Sequence, residues 1–265
     1  MIWMHVQMDS TALNMPVTLE ILAPQPHGDN EGQKRRILFL LHDYGEDHTW
    51  WMRSSMVEQY ASRNSFTVVL MSGDNSFFVN MKQGRRYGDF VGQELPLYCR
   101  EVLGFPQSPD CWCIAGCGMG GYGALITALR HPDIFGWIGC FSPTDLTEEF
   151  LWMRNRQLEL VFGSLEEYTV SQNSLLWALK RLQTIQDEAP ELFYCIKERD
   201  CREQQRGLFE SLNDVLYPHS VRIRHVVPKE EWRYPDTCLE QFMNYVSESS
   251  DSNNVKREAP AKKEV

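Results

Sequence analysis

The chain has 265 residues, 43% of them hydrophobic and 12% aromatic, which is enough apolar material for one well-filled core. Its formal net charge of -10 and pI near 5.2 repel phosphate groups, which argues against nucleic acid and anionic membranes as partners. No run approaches the ~18 apolar residues of a membrane span, and the first ten residues lack a basic segment followed by an apolar one, so a soluble cytoplasmic protein is expected.

In chain order, apolar runs rich in β-branched and aromatic residues predict strands at 17–22, 37–41, 67–71, 111–115, 137–141, 192–196 and 221–227. Helical patterns lie between most of them, at 51–63, 90–103, 121–129, 174–183, 203–215 and 238–246. Strand alternating with helix implies parallel pairing with helices on both faces, because each crossover must return over the sheet. One α/β domain is therefore expected over 1–246. Within it, 145–182 has no strand run and reads as a small helical cap placed to cover the carboxyl ends of the strands. From 247 to 265 the composition is too polar to offset its own ordering entropy, and a disordered tail is expected.

The eight cysteines are scattered, and Cys111, Cys113, Cys140 and Cys195 sit in apolar runs, where core thiols are the simple expectation. No second pair at metal-ligand spacing accompanies Cys111 and Cys113, so neither metal nor cofactor is expected.

The most informative stretch is C-W-C-I-A-G-C-G-M-G-G-Y-G-A-L, residues 111–125, in which an apolar strand enters a glycine-dense turn and then a helix. This is the layout of a nucleophile elbow, G-x-S-x-G, whose small flanking residues let strand and helix approach closely. Gly116 and Gly120 fill the flanks, so Gly118 stands at the nucleophile position. Cys117 is the rival nucleophile, although moving the turn back one residue would put Met119 where a small residue is needed.

These residues resemble the bacterial tributyrin-type esterases, relatives of S-formylglutathione hydrolase, whose elbow reads like A-G-x-S-M-G-G-Y-G. The likeness continues in L-L-H-D-Y-G-E-D-H-T-W-W from Leu40, N-S-F-F-V-N-M-K from Asn75, E-L-P at Glu94, F-G-S-L-E-E-Y at Phe162 and E-W-R-Y at Glu231. It implies an α/β-hydrolase fold, with a mostly parallel central sheet flanked by helices, and acyl-ester chemistry. It also implies a histidine base where this chain has Glu230, and a carboxylate at Arg199 or, with a one-residue shift, Asp200. The oxyanion-hole amides would come from Tyr44 and Met119, with Asp43 beside them.

Triad chemistry needs a nucleophile, an imidazole and a carboxylate together, so glycine and glutamate at two of the three positions point to a homologue without serine-esterase activity. The alternative is an acyl-ester hydrolase that uses Cys117 or a water activated by rim carboxylates. Asp43, His48, Trp51 and Trp232 are expected around the pocket, His48 being the histidine best placed to reach it. A small acyl or ester ligand is the expected partner, and self-association is left open.

Overall fold

The computed structural model describes residues 1–25, 35–144, 146, 152, 155–184, 189–196, 223–226 and 233–257. Its centre is an eight-stranded sheet in the order β1-β2-β4-β3-β5-β6-β7-β8. The strands are β1 (Ile2–Ser10), β2 (Met15–Ala23), β3 (Arg36–Leu41), β4 (Phe66–Met71), β5 (Trp112–Cys117), β6 (Trp137–Phe141), β7 (Glu191–Cys195) and β8 (Ile223–Val226). From β4 to β8 every neighbouring pair is parallel, while β1–β2 and β2–β4 are antiparallel.

β1 is a strand that the apolar runs did not mark. Its signal is alternation rather than a run: Trp3, His5 and Gln7 face outward while Met4, Val6 and Met8 pack on the core. Asn14 takes φ +52° in the turn to β2. Glu94, in the E-L-P motif, holds that turn by accepting from Ser10 Oγ at 2.5 Å, Thr11 N at 2.6 Å and Ala12 N at 3.2 Å.

Among the described residues the α-helices are α1 (Trp50–Ser54), α2 (Val57–Arg63), α3 (Tyr87–Asp89), α4 (Leu95–Glu101), α5 (Met119–Arg130), α6 (Arg156–Phe162), α7 (Leu165–Val170), α8 (Leu175–Thr184) and α9 (Tyr234–Arg257). A π-helical stretch, Phe90–Glu94, joins α3 to α4. The single helix expected over 51–63 is two, broken where Met56 N donates to Asp236 Oδ1 of α9 at 2.8 Å. Alternate strand residues feed two cores. Ile37, Phe39 and Leu41 pack with α5 on one face, and Leu38 and Leu40 pack with α2 and α9 on the other. Met119 to Leu129 of α5 are buried throughout, because sheet and cap enclose that helix.

α9 runs on to Arg257 and so takes in 247–257, the first part of the segment whose composition is polar. Burial of Tyr234, Cys238, Leu239, Phe242, Met243 and Val246 provides the nucleus, and adding turns to an existing helix costs little. Residues 258–265 lie outside the described set, as does the helix expected over 203–215. Cys195 is not a core thiol: it is bonded to Cys238, joining β7 to α9, with the Cα atoms 6.5 Å apart. Cys111, Cys113 and Cys140 are buried thiols as expected. Among the described residues, no helix is long and apolar enough to cross a membrane.

The segment expected to form the cap contributes α6, α7 and α8 among the described residues. Lys82 N and Gln83 N, in the loop after β4, donate to Val161 O and Leu160 O at 2.8 and 2.9 Å, which ties α6 to that loop. α7 opens with a reciprocal capping box between Ser164 and Glu167, inside the F-G-S-L-E-E-Y motif.

Candidate functional site

The site is built where β3 and β5 end. At the turn from β5 into α5, Gly118 adopts φ +55° and ψ -115°, a backbone conformation that non-glycine residues occupy only under strain. Its N–H donates to Phe141 O at 3.0 Å, and its carbonyl accepts from Tyr122 N and Thr144 N, both at 3.1 Å. The flanking glycines are there for close approach. A Cβ on Gly116 would lie 2.5 Å from Gly120 O, and one on Gly120 would lie 2.5 Å from Leu41 O.

Across from this turn lies the loop after β3. Asp43 folds its carboxylate over Gly118, and a single oxygen, Oδ1, accepts from Tyr44 N at 2.7 Å and Met119 N at 2.9 Å. Both amides implied as oxyanion donors thus converge on the chain's own carboxylate. A Cβ on Gly118 would stand 2.0 Å from that oxygen, so Asp43 also fills the space a side chain there would need.

His42 fixes this loop. It is buried, its Nδ1 lies 2.8 Å from Asp43 O, and its Nε2 accepts from Gly73 N at 2.9 Å. That pair of bonds selects the neutral Nδ1–H tautomer. Burial lowers its pKa, against the opposing effect of the hydrogen bond that Nδ1–H donates to the Asp43 carbonyl. On the other side, Asn75 Oδ1 accepts from Gly45 N at 2.8 Å. Neither His42 nor Asn75 was singled out from sequence, though both lie in stretches that carried the resemblance.

The remaining candidates separate. Cys117 ends β5 with 4% exposure, a strand residue before the turn rather than the residue on it. Trp51 is not at a pocket rim: it is 1% exposed, gives its indole N–H to Leu41 O at 2.8 Å and packs on Phe141. It was misplaced because the helix pattern does not say which of two adjacent tryptophans turns inward. Tyr44 is half exposed beside Phe77, at the mouth of the site.

His48 is partly buried, on the β2–β4 side. Its Nδ1 lies 3.0 Å from Ser72 Oγ and its Nε2 4.0 Å from Glu20 Oε1. Ser72 Oγ also accepts the backbone N–H of His48 at 3.2 Å, and Glu20 is engaged by His5 at 2.6 Å and by the Trp3 indole. Arg199, Asp200, Glu230 and Trp232 lie outside the described residues. Among the described residues, no group of three or more His, Cys, Asp or Glu side chains could hold a metal ion.

A cluster of aromatic rings joins α5 and the loop after β4 to α6 and α7. Phe77, Tyr122 and Phe162 meet pairwise with centroids 5.3 to 6.1 Å apart, and Trp152 and Tyr168 extend the cluster. Burial raises the pKa of the Tyr122 phenol, which donates to Asn173 O. Tyr234 knits the far side: its hydroxyl donates to Cys195 O at 2.7 Å and accepts from Ser142 Oγ at 2.9 Å.

Residues 10–190 match the family described as Putative esterase. The chain belongs to this esterase family. An acetyl esterase of Caldicellulosiruptor saccharolyticus is 26% identical over 81% of this chain and 88% of its own length. Two Staphylococcus aureus structures share the fold. The fluorophosphonate-binding serine hydrolase FphF has a TM-score of 0.79, and the S-formylglutathione hydrolase FrmB has 0.78. Each is 22% identical and is aligned over 93% of this chain and 98% of its own. The architecture is thus that of the α/β-hydrolase esterases.

Proposed function

We propose that this chain is an esterase-family member that has given up serine-ester chemistry and acts by binding a small acyl or ester ligand or a partner. The observation that carries this reading is the Asp43 carboxylate, which takes both amides that an esterase would aim at a developing oxyanion. A negative charge held there opposes the charge that acyl transfer would create, in the part of a hydrolase where electrostatic stabilisation matters most. Glycine at position 118 removes the nucleophile, and Glu230 in the P-K-E-E-W segment replaces the imidazole that the resemblance leads one to expect.

A second reading, an acyl-ester hydrolase with a different nucleophile, has one observation in its favour: Ser72 Oγ within 3.0 Å of His48 Nδ1. Cys117 is the other candidate, and its burial in β5 weighs against it.

The test is turnover of p-nitrophenyl acetate by the purified protein, by Cys117→Ala and by Ser72→Ala. The expected result is hydrolysis barely above the buffer rate and equal in all three. Turnover typical of esterases, lost in one variant, would overturn the proposal and name the nucleophile.

A further inference from the structure

A cleft of about 290 Å³ lies beside the elbow but outside it, lined by Asp74, Asn75, Met81, Arg85, Tyr87 and Gln157. Its walls are the turn after β4, the small hairpin closed by the Asn80–Arg86 bridge, and the first turn of α6. Met81 N donates to Arg85 O at 3.0 Å, so the hairpin is a formed unit.

The lining is fixed in advance. Asp74 sits at φ +46°, a strained position for a non-glycine residue, and its carboxylate accepts from the Tyr87 hydroxyl. Burial and that carboxylate raise the Tyr87 pKa, so the phenol stays protonated. Asn75 is held from two directions: its side chain accepts from Gly45 N, and its carbonyl accepts from Gln157 Nε2 at 2.9 Å.

These bonds use only part of what the groups offer. The second Asp74 oxygen and Gln157 Oε1 can still accept, while the Asn75 amide nitrogen and the Arg85 guanidinium can still donate. The lining carries one acid, Asp74, and one base, Arg85, so its formal charge is zero and it favours neither an anion nor a cation. An acyl chain would cover the polar groups of Asp74, Asn75 and Gln157 without giving them hydrogen-bond partners. Hydroxyl groups, which donate and accept at once, match an alternation of donors and acceptors, and Met81 offers an apolar surface for ring C–H groups. The volume is near the lower end for ligand pockets, about 300 Å³, which suits a single ring rather than a chain of them.

We infer that this cleft binds a neutral monosaccharide, free or as the polyol part of an ester. The inference gives a ligand class to the binding role proposed above, and its test reads binding alone, independently of ester turnover.

The experiment is saturation-transfer NMR with titration of glucose and xylose, and with acetate and glycine as anionic and zwitterionic comparisons. The protein is used as wild type, Gln157→Ala and Asp74→Gly, the last chosen because glycine tolerates the backbone of residue 74. Matching circular dichroism melts establish that the variants fold. The expected result is saturable binding of one or both sugars on the order of millimolar, weakened about tenfold in each variant by loss of a hydrogen-bonding group. Absence of saturable sugar binding, or sugar binding unchanged in both variants, overturns the inference. Tighter binding of acetate or glycine overturns the assigned ligand class. If sugars fail to bind while p-nitrophenyl acetate remains unhydrolysed, the sugar site fails and the non-catalytic reading stands.

Discussion

The elbow and the neighbouring cleft treat their polar groups in opposite ways. At the elbow, the amides of Tyr44 and Met119 are both consumed by Asp43 Oδ1, and a bound oxyanion would have to displace a side chain of the protein itself. At the cleft, Asp74, Asn75 and Gln157 are fixed by one set of hydrogen bonds and keep further donors and acceptors toward the cavity. The two regions share Asn75, whose side chain holds the elbow loop while its carbonyl holds α6. The contrast separates chemistry from recognition: a fold can close its reactive centre with one carboxylate and leave the adjoining surface able to bind.

The contrast is broken most severely by disturbing what holds the elbow loop. Trp51→Ala removes a fully buried ring and the hydrogen bond to Leu41 O, the last residue of β3. A loss of about 3–5 kcal/mol in urea unfolding is expected. A loss below about 1 kcal/mol would mean that the ring is not a core element.

Gly118→Ser is expected to destabilise by about 1–3 kcal/mol, from the positive φ and from the clash with Asp43 Oδ1. Adding Asp43→Gly should recover part of that loss, so the two effects couple by about 0.5–3 kcal/mol in a double-mutant cycle. Neither variant should hydrolyse esters well, because a hydroxyl without an imidazole remains a weak nucleophile. Simple additivity would show that the carboxylate does not occupy the space over Gly118.

The pH dependence follows from His42, whose native pKa lies below the usual 6.5 because burial disfavours the charged ring. The unfolded chain then binds more protons at mildly acid pH. The stability that comes from keeping the ring neutral is complete above about pH 6.5 and is lost as pH falls through the lower native value. His131 is shifted in the same direction by burial. Melting temperatures should therefore drop from pH 7 to pH 5, and the slope should be shallower in His42→Asn. An unchanged slope would mean that the ring does not titrate with unfolding.

The smallest effect is expected at the cleft, where Gln157→Ala should change stability by less than about 1 kcal/mol because the residue is only partly buried. A loss as large as that at Trp51 would make the cleft part of the core and remove the contrast.

The sheet was legible wherever burial on both faces produced continuous apolar runs, as in β3, β4, β5 and β6. The hairpin partner β1 was less legible because a half-exposed edge strand writes only alternation. The elbow could be read from spacing, since Gly116 and Gly120 are required by contacts that local sequence encodes. The carboxylate of Asp43 could be placed near the site, but not in it. Its position depends on how His42, just after β3, and Asn75, in the turn after β4, hold the loop. The Cys195–Cys238 bond and the burial of Trp51 escaped for a related reason: both depend on which face meets a helix distant in the chain or packed from the side.

The most direct test of the central claim is the response of the Tyr44 and Met119 backbone amides to acetate, followed by NMR at neutral pH in the wild type and in Asp43→Gly. The wild-type resonances should stay fixed, because Asp43 already supplies the carboxylate. In the variant, both should shift saturably as acetate enters the vacated site. Saturable shifts of equal size in the wild type would contradict the account, since the two amides would then be open to an external anion.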